Sequence, residues 1–266
     1  MRIGVIGASG LIGRYLVASL CARGDRVVPA SLRDPYQAAL AVRDCDAVVN
    51  LAGEPILQRW TAKAKRRMWS SRVEGTAALN DALALQPRRP PTLVNASAIG
   101  VYGDDFLSEL CVAWERAAES ASECGMRVAI VRFGIVLARD GGALATMLPA
   151  FRLGLGGPIG SGRQWMSWVH IADAIGILQM ALDGARGVFD ATAPAPVTNA
   201  EFTRALGAAL HRPAFFTVPG FALRLLFGEG ARVLTTGERV LPQQGLDAGY
   251  VFRFTNLEDA LGDLLR

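Results

Sequence analysis

In the stretch SAIGVYG, Ser97 and Tyr102 stand five residues apart. A serine hydroxyl can orient a carbonyl, and a phenol can serve as general acid if a neighbour draws its pKa down from about 10. Both side chains are equally at home bonding backbone or lining a pocket wall. Near the N-terminus, Gly7, Gly10 and Gly13 set out G-x-x-G-x-x-G. Glycines so spaced allow a tight turn and let the backbone approach a pyrophosphate, while the following helix offers N–H groups and partial positive charge. His170, in SWVHIADA, belongs to the residue type that titrates near neutrality; the plainer reading is a structural junction with Asp173 nearby. Cys111 reads as a packed thiol and His211 as peripheral.

These residues need a frame. RIGVIG is a short apolar strand leading into the glycines, and LIGRYLVASLCARG has helical spacing up to Gly24. RVVPAS, DAVVNLAG, PTLVNASA and RVAIVRFG are further strands, separated by helical stretches including one over residues 61–85. The alternation predicts an α/β fold, a doubly wound parallel sheet of Rossmann type, and meets the strand–turn–helix context that a glycine triplet requires. Ser97 and Tyr102 then leave the carboxyl end of the fourth strand, the side of such a sheet where ligands bind. Residues 1–190 are expected to form the nucleotide-binding domain, with 139–167 an excursion toward the substrate. Residues 191–266 are expected to form a small substrate-side lobe.

The chain has 266 residues, 51% hydrophobic, with a net charge of +4. No apolar run reaches the roughly 18 residues of a membrane span, and no signal-peptide layout opens the sequence. The four cysteines form no zinc-like spacing, so reduced thiols, a cytoplasmic location and no metal are expected. The one dense basic run, TAKAKRRMWSSR, reads as a solvated helix face without a nucleic-acid motif, so no nucleic-acid partner is expected.

The end of the second strand selects the dinucleotide. An acidic residue there would bond ribose hydroxyls. VVPASLRDP instead places Arg33 first and Asp34 after it. A guanidinium clamps a 2′-phosphate by charge-assisted bonds, which favours NADP(H) over NAD(H).

With GASGLIG, NLAGEPI, SAIGVYG and RLGLGGPIGSGRQ together, the chain resembles the extended or atypical short-chain dehydrogenase/reductases. It is most similar to the "epimerase family" proteins that carry a C-terminal extension. The resemblance runs the whole length, through Arg59–Trp60, Ser71–Arg72, Trp114–Glu115 and LPQQGLDAGYVFRF. It implies that Gly7, Ser9, Gly10, Leu11, Ile12 and Gly13 hold the pyrophosphate and Arg33 the 2′-phosphate. Leu51, Ala52, Gly53 and Glu54 would line the adenosine and ribose side. Ser97, Ala98, Gly134 and Val136 would border the nicotinamide. It also suggests a homodimer, by analogy, and a longer polar loop where this chain has only residues 103–106.

In that superfamily a tyrosine and a lysine four places on carry the acid–base work. None of the four tyrosines here has such a lysine; the two lysines are Lys63 and Lys65, and Leu107 and Cys111 are among the residues at the corresponding places. The expectation is therefore a phenol at Tyr102 without a cation beside it, and slow turnover. On the substrate side stand Arg163, Trp165, Trp168 and His170, with Met166 where sugar-nucleotide epimerases carry an arginine. That aromatic loop favours an apolar carbonyl or alcohol. The functional expectation is an NADP(H)-dependent reductase or dehydrogenase of unknown small substrate. The alternatives are an NADP(H)-binding regulatory module without turnover, as in relatives associated with cell division, and a sugar-nucleotide epimerase.

Overall fold

The structure is a computed structural model describing all of residues 1–266. Its elements in chain order are β1 (Arg2–Ile6), α1 (Leu11–Ala22), β2 (Arg26–Ala30), α2 (Pro35–Val42), β3 (Ala47–Asn50) and α3 (Ala62–Trp69). After them come a π-helical turn (Ser70–Glu74), α4 (Gly75–Ala84), β4 (Thr92–Ala98), α5 (Phe106–Glu119), β5 (Arg127–Phe133), β6 (Ile135–Ala138) and α6 (Gly142–Arg152). Next are β7 (Trp165–Met166), β8 (Trp168–His170), α7 (Ile171–Leu182), β9 (Gly187–Ala191), β10 (Val197–Thr198) and α8 (Asn199–Ala209). The chain ends through α9 (Gly220–Phe227), α10 (Arg232–Thr235), α11 (Gln243–Asp247) and α12 (Leu257–Leu264).

Two compact units emerge. The first comprises Met1–Pro55, Lys65–Arg132 and Ile175–Phe189; the second comprises Ile56–Ala64, Phe133–Ala174 and Asp190–Arg266. One division falls between Phe189 and Asp190. The stretch 133–174, including the glycine-rich excursion, groups with the C-terminal residues.

The first unit is built on a six-stranded parallel sheet of order β2-β1-β3-β4-β5-β9. The chain moves outward from β1 to β2, then returns to the other side of β1 with β3. That reversal opens a crevice outside the carboxyl ends of β1 and β3, the switch point at which open α/β sheets bind ligands. β1 and β3 are apolar because both faces are covered: Ile3, Val5, Ile6, Val48 and Val49 are fully buried. Ala38, Ala39 and Val42 of α2 pack with Leu79 and Leu83 of α4 in one cluster against Ile6, Val48 and Leu93. Small residues on α2 let that short helix approach closely.

The long helix expected over 61–85 is α3, the π-turn and α4 in succession. Ser71 and Arg72 lie within the π-turn, whose wider repeat aims them at the loop after β3. The second unit contains two small sheets, β6 beside β8 in parallel and β10 antiparallel to β7. These strands and α6 lie in or beside the glycine-rich segment, where turn residues mask the two- and three-residue strands from any periodicity argument.

Candidate functional site

The loop after β1 is shaped by its glycines. Gly7 has φ +84, and a Cβ on it would lie 3.0 Å from the Leu51 carbonyl carbon; a Cβ on Gly13 would collide with the Gly7 carbonyl. The loop thus lies close against the strand-end backbone of β3, as a switch-point cradle requires. Gly10 caps α1 without any side-chain bond, and no acidic residue occupies the first turn. By contrast Asp34 caps α2 by accepting from the Gln37 N–H at 3.0 Å, and Asp105 caps α5 by accepting from the Leu107 N–H at 2.9 Å. The first-turn N–H groups of Leu11 and Ile12 have no side-chain cap and stand beside exposed Ser9 and Gly10, where they can meet an anionic ligand, while Gly13 is buried and lets α1 pack against the Gly7 carbonyl. A pyrophosphate fits that donor set.

Arg33 is exposed beyond β2. Asp34, its rival for the ribose end, is committed to capping. The residue chemistry at this position matches a 2′-phosphate better than a ribose diol.

The end of β3 is fixed by a buried polar network. Asn50 Nδ2 donates to Asn95 Oδ1 at 2.8 Å and to Thr76 Oγ1 at 3.0 Å, Trp114 Nε1 donates to the same hydroxyl at 3.0 Å, and Asn50 Oδ1 accepts from the Ala52 N–H at 3.2 Å. One fully buried amide therefore ties β3, β4 and α4 together and sets the path of Leu51, Ala52 and Gly53. Glu54 is held from three sides: Ser71 Oγ accepts its N–H at 3.0 Å, Arg72 Nη1 donates to its carbonyl at 2.9 Å, and Arg67 Nε meets its carboxylate at 3.0 Å.

At the end of β4, Tyr102 is 44% exposed while Ser97 is 3% exposed. Ser97 Oγ donates to Glu115 Oε1 at 2.6 Å, so its proton points inward. Glu115 pairs in a bidentate fork with Arg132, at 2.8 Å from Nε and 2.7 Å from Nη2. Arg132 Nη1 donates to the Tyr102 hydroxyl at 2.8 Å, and its guanidinium lies 5.2 Å from the Tyr102 ring centroid. The bonds to Glu115 hold the Arg132 pKa above its already high ordinary value, so the cation is permanent. The expectation of a phenol without a neighbouring cation is corrected: the cation comes from β5 rather than from a lysine on α5. Sequence reasoning missed Arg132 and Glu115. Each left a signal, Arg132 as a charge inside the apolar run after Arg127 in RVAIVRF and Glu115 as a charge on the buried face of α5.

Cys111 is 2% exposed, and burial pushes its thiol up to about 11, which fits the packed role expected of it. Residues 103–105 join Tyr102 to α5, which Asp105 caps.

Gly134, Val136, Arg163, Trp165, Trp168 and His170 all fall in the second unit. The Gly134 N–H donates to the Ala191 carbonyl at 3.1 Å, and Val136 pairs with Val169 between β6 and β8. Arg163 is exposed and Trp165 half-buried under Arg239. Trp168 is fully buried, with Nε1 donating to the Ala195 carbonyl at 3.0 Å, and Met166 is 8% exposed. Side chains so enclosed give no surface to a substrate, which removes the support they lent to an apolar ligand. His170 is 3% exposed, stacked on Phe254 at 3.9 Å, with Nδ1 accepting from the Ala172 N–H at 3.1 Å. Its Nε2 lies 3.3 Å from Asp263 Oδ2 in a geometry too skewed for a hydrogen bond. Burial lowers its pKa despite Asp263. Asp173 accepts from Tyr250 Oη and from the backbone of Arg253 and Phe254, fastening that segment. His170 thus occupies a packing junction. No group of three or more His, Cys, Asp or Glu side chains is arranged to hold a metal, and no helix is long and apolar enough to cross a membrane.

Comparison with known proteins agrees with this geometry. The model of the "NAD dependent epimerase/dehydratase family" matches residues 3–112, and a "Domain of unknown function (DUF1731)" matches residues 218–264. The epimerase family protein SDR39U1 of Bos taurus is 42% identical over 295 aligned positions, covering all of both chains. The chloroplastic SDR39U1 homolog of Arabidopsis thaliana is 37% identical, over all of this chain and 87% of that protein. A crystal structure of human SDR39U1 with NADPH superposes with a TM-score of 0.91 at 36% identity, covering 99% of each chain. With the glycine cradle, the switch-point sheet and full-length identity of this order, this chain belongs to the NAD-dependent epimerase/dehydratase family, among the SDR39U1-like epimerase family proteins that end in the DUF1731 segment.

Proposed function

We propose that this protein binds NADP(H) and reduces a small carbonyl compound, with Tyr102 as the proton donor. The single observation that carries the proposal is the 2.8 Å bond from Arg132 to the Tyr102 hydroxyl, at the carboxyl end of the sheet in the same unit as the glycine cradle. Support for the cofactor comes from the open N-terminus of α1, from exposed Arg33 beside a committed Asp34, and from the human relative crystallised with NADPH. NADPH, when bound, supplies a hydride. Tyr102 Oη would give its proton to the carbonyl oxygen as the alcohol forms. The phenolate left behind would be stabilised by the adjacent guanidinium, whose charge is itself oriented by the bidentate Glu115. Ser97 acts in this reading as a positioning residue, holding Glu115. A cytoplasmic location and a small-molecule partner complete the proposal; Met166, buried, offers no grip for a sugar nucleotide.

A second reading has its own observation. Ser97 is enclosed and its proton is spent on Glu115, so one of the two groups that could have faced a carbonyl does not. That favours an NADP(H)-binding regulatory module. Single-turnover oxidation of NADPH against a panel of aldehydes, ketones and quinones separates the two. Oxidation that depends on Tyr102 supports the reductase. Tight NADPH binding with no carbonyl reduced overturns it in favour of the regulatory role.

A further inference from the structure

We propose that Arg72 is a binding residue for an anionic oxygen group, a phosphate or a carboxylate, at the carboxyl ends of β3 and β4. The proposal deepens the functional reading above and rests on it for the place of the ligand.

A guanidinium has five N–H donors and needs acceptors for them when water is removed. Arg72 is half-buried, yet it has one hydrogen-bond acceptor, the Glu54 carbonyl, and no salt bridge. The nearest acidic side chain, that of Glu54, is taken by Arg67. Cys111, which also feels its charge, is a thiol kept neutral by burial and offers no anion. The face of the guanidinium lies 5.2 Å from the Trp114 ring centroid. Two other partly enclosed arginines of the same unit are answered. Arg132 has both oxygens of Glu115, and Arg127 has the carbonyls of Ala181, Leu182 and Ala185. Arg72 is a half-buried cation whose nearest carboxylate is engaged by Arg67, and burial lowers its pKa to about 10.

The position is built rather than accidental. The π-turn carries Arg72, and Ser71 and Arg72 together pin the backbone of Glu54. Gly53 has room for the guanidinium only because it is glycine: a Cβ there would lie 2.5 Å from Arg72 Cζ. Gly53 itself is exposed, so the fork lies against backbone at the mouth of the crevice, within reach of a ligand. A planar fork with free N–H groups is matched by the paired oxygens of a phosphate or a carboxylate. The cofactor can supply the first and an acidic carbonyl substrate the second.

Calorimetry on wild type, Arg72→Gln and Arg72→Lys distinguishes them. If a cofactor phosphate is the ligand, NADPH affinity falls at least tenfold in Arg72→Gln and less in Arg72→Lys. If a substrate carboxylate is the ligand, NADPH affinity stays within twofold. The NADP⁺-loaded Arg72→Gln protein then loses tenfold or more in affinity for phenylpyruvate and none for 4-phenyl-2-butanone. Unchanged affinity for both NADPH and phenylpyruvate overturns the proposal. Should Arg72→Gln fail to fold, Arg72→Lys is read alone, and full retention of both affinities there overturns the proposal equally. Wild-type protein that binds no NADPH overturns the functional reading instead; pyrophosphate then tests Arg72 by itself, and equal pyrophosphate affinity in wild type and variant overturns this inference.

Discussion

Arg132 Nη1 and Tyr102 Oη are 2.8 Å apart although thirty residues separate them in the chain. β4 and β5 are neighbours in the sheet, so the exit from one strand meets a side chain near the end of the other. The pair gives Tyr102 a fixed cation without any lysine.

If Tyr102 donates the proton, Tyr102→Phe lowers the single-turnover rate of NADPH oxidation about 100-fold and leaves NADPH affinity within about threefold, in line with the usual worth of a general acid. Ser97→Ala, which touches the carboxylate and not the phenol, has a smaller effect on the same rate. Stopped-flow fluorescence of NADPH measures both.

The Glu115–Arg132 pair has a stability signature of its own. The two side chains are 9% and 18% exposed. Arg132→Met strands a buried carboxylate and is expected to cost about 3–5 kcal/mol, whereas Arg132→Met with Glu115→Met together costs much less. Urea denaturation of the two single variants and the double variant reads the coupling.

Arg33→Ala tests the cofactor choice. One charge-assisted contact contributes about 1.5–3 kcal/mol. NADPH affinity should fall tenfold to a hundredfold while NADH affinity holds, by calorimetry. An unchanged preference would remove Arg33 from the site.

The second unit carries a pH dependence centred on His170. Its folded pKa lies below the unfolded value of about 6.5, because burial against Phe254 disfavours the imidazolium more than Asp263 and Asp173 favour it. The unfolded chain therefore binds the proton first as pH falls. The His170 contribution is complete above about pH 7 and is lost on acidification through 6.5 toward the folded pKa, by at most about 1.4 kcal/mol per pH unit. His170→Gln flattens that portion of the stability profile on the acid side of about pH 7, measured by denaturation at each pH.

The sequence alone determined the frame and the cradle. Alternating apolar runs and helical spacing are local properties, so the β1–α1 unit, the buried strands and the sheet class were legible in it. The glycine triplet was legible too, because a tight turn before a helix is set by residues a few places apart. Arg33 against Asp34 could be posed from sequence, though only the cap bond from Gln37 showed which side chain was committed. The relations between distant strands were decided by the tertiary structure. Arg132 and Glu115 form one polar chain with Ser97 and Tyr102 because β4, α5 and β5 pack together. Arg72 meets Gly53 because the π-turn that carries it aims it there. Trp168 and His170, substrate-side candidates in sequence, are enclosed by residues 195 and 254–263, which come much later in the chain. Periodicity reports which face of an element is apolar; it carries no information about which polar group on another element comes within about 3 Å. That distance is fixed only when the core closes.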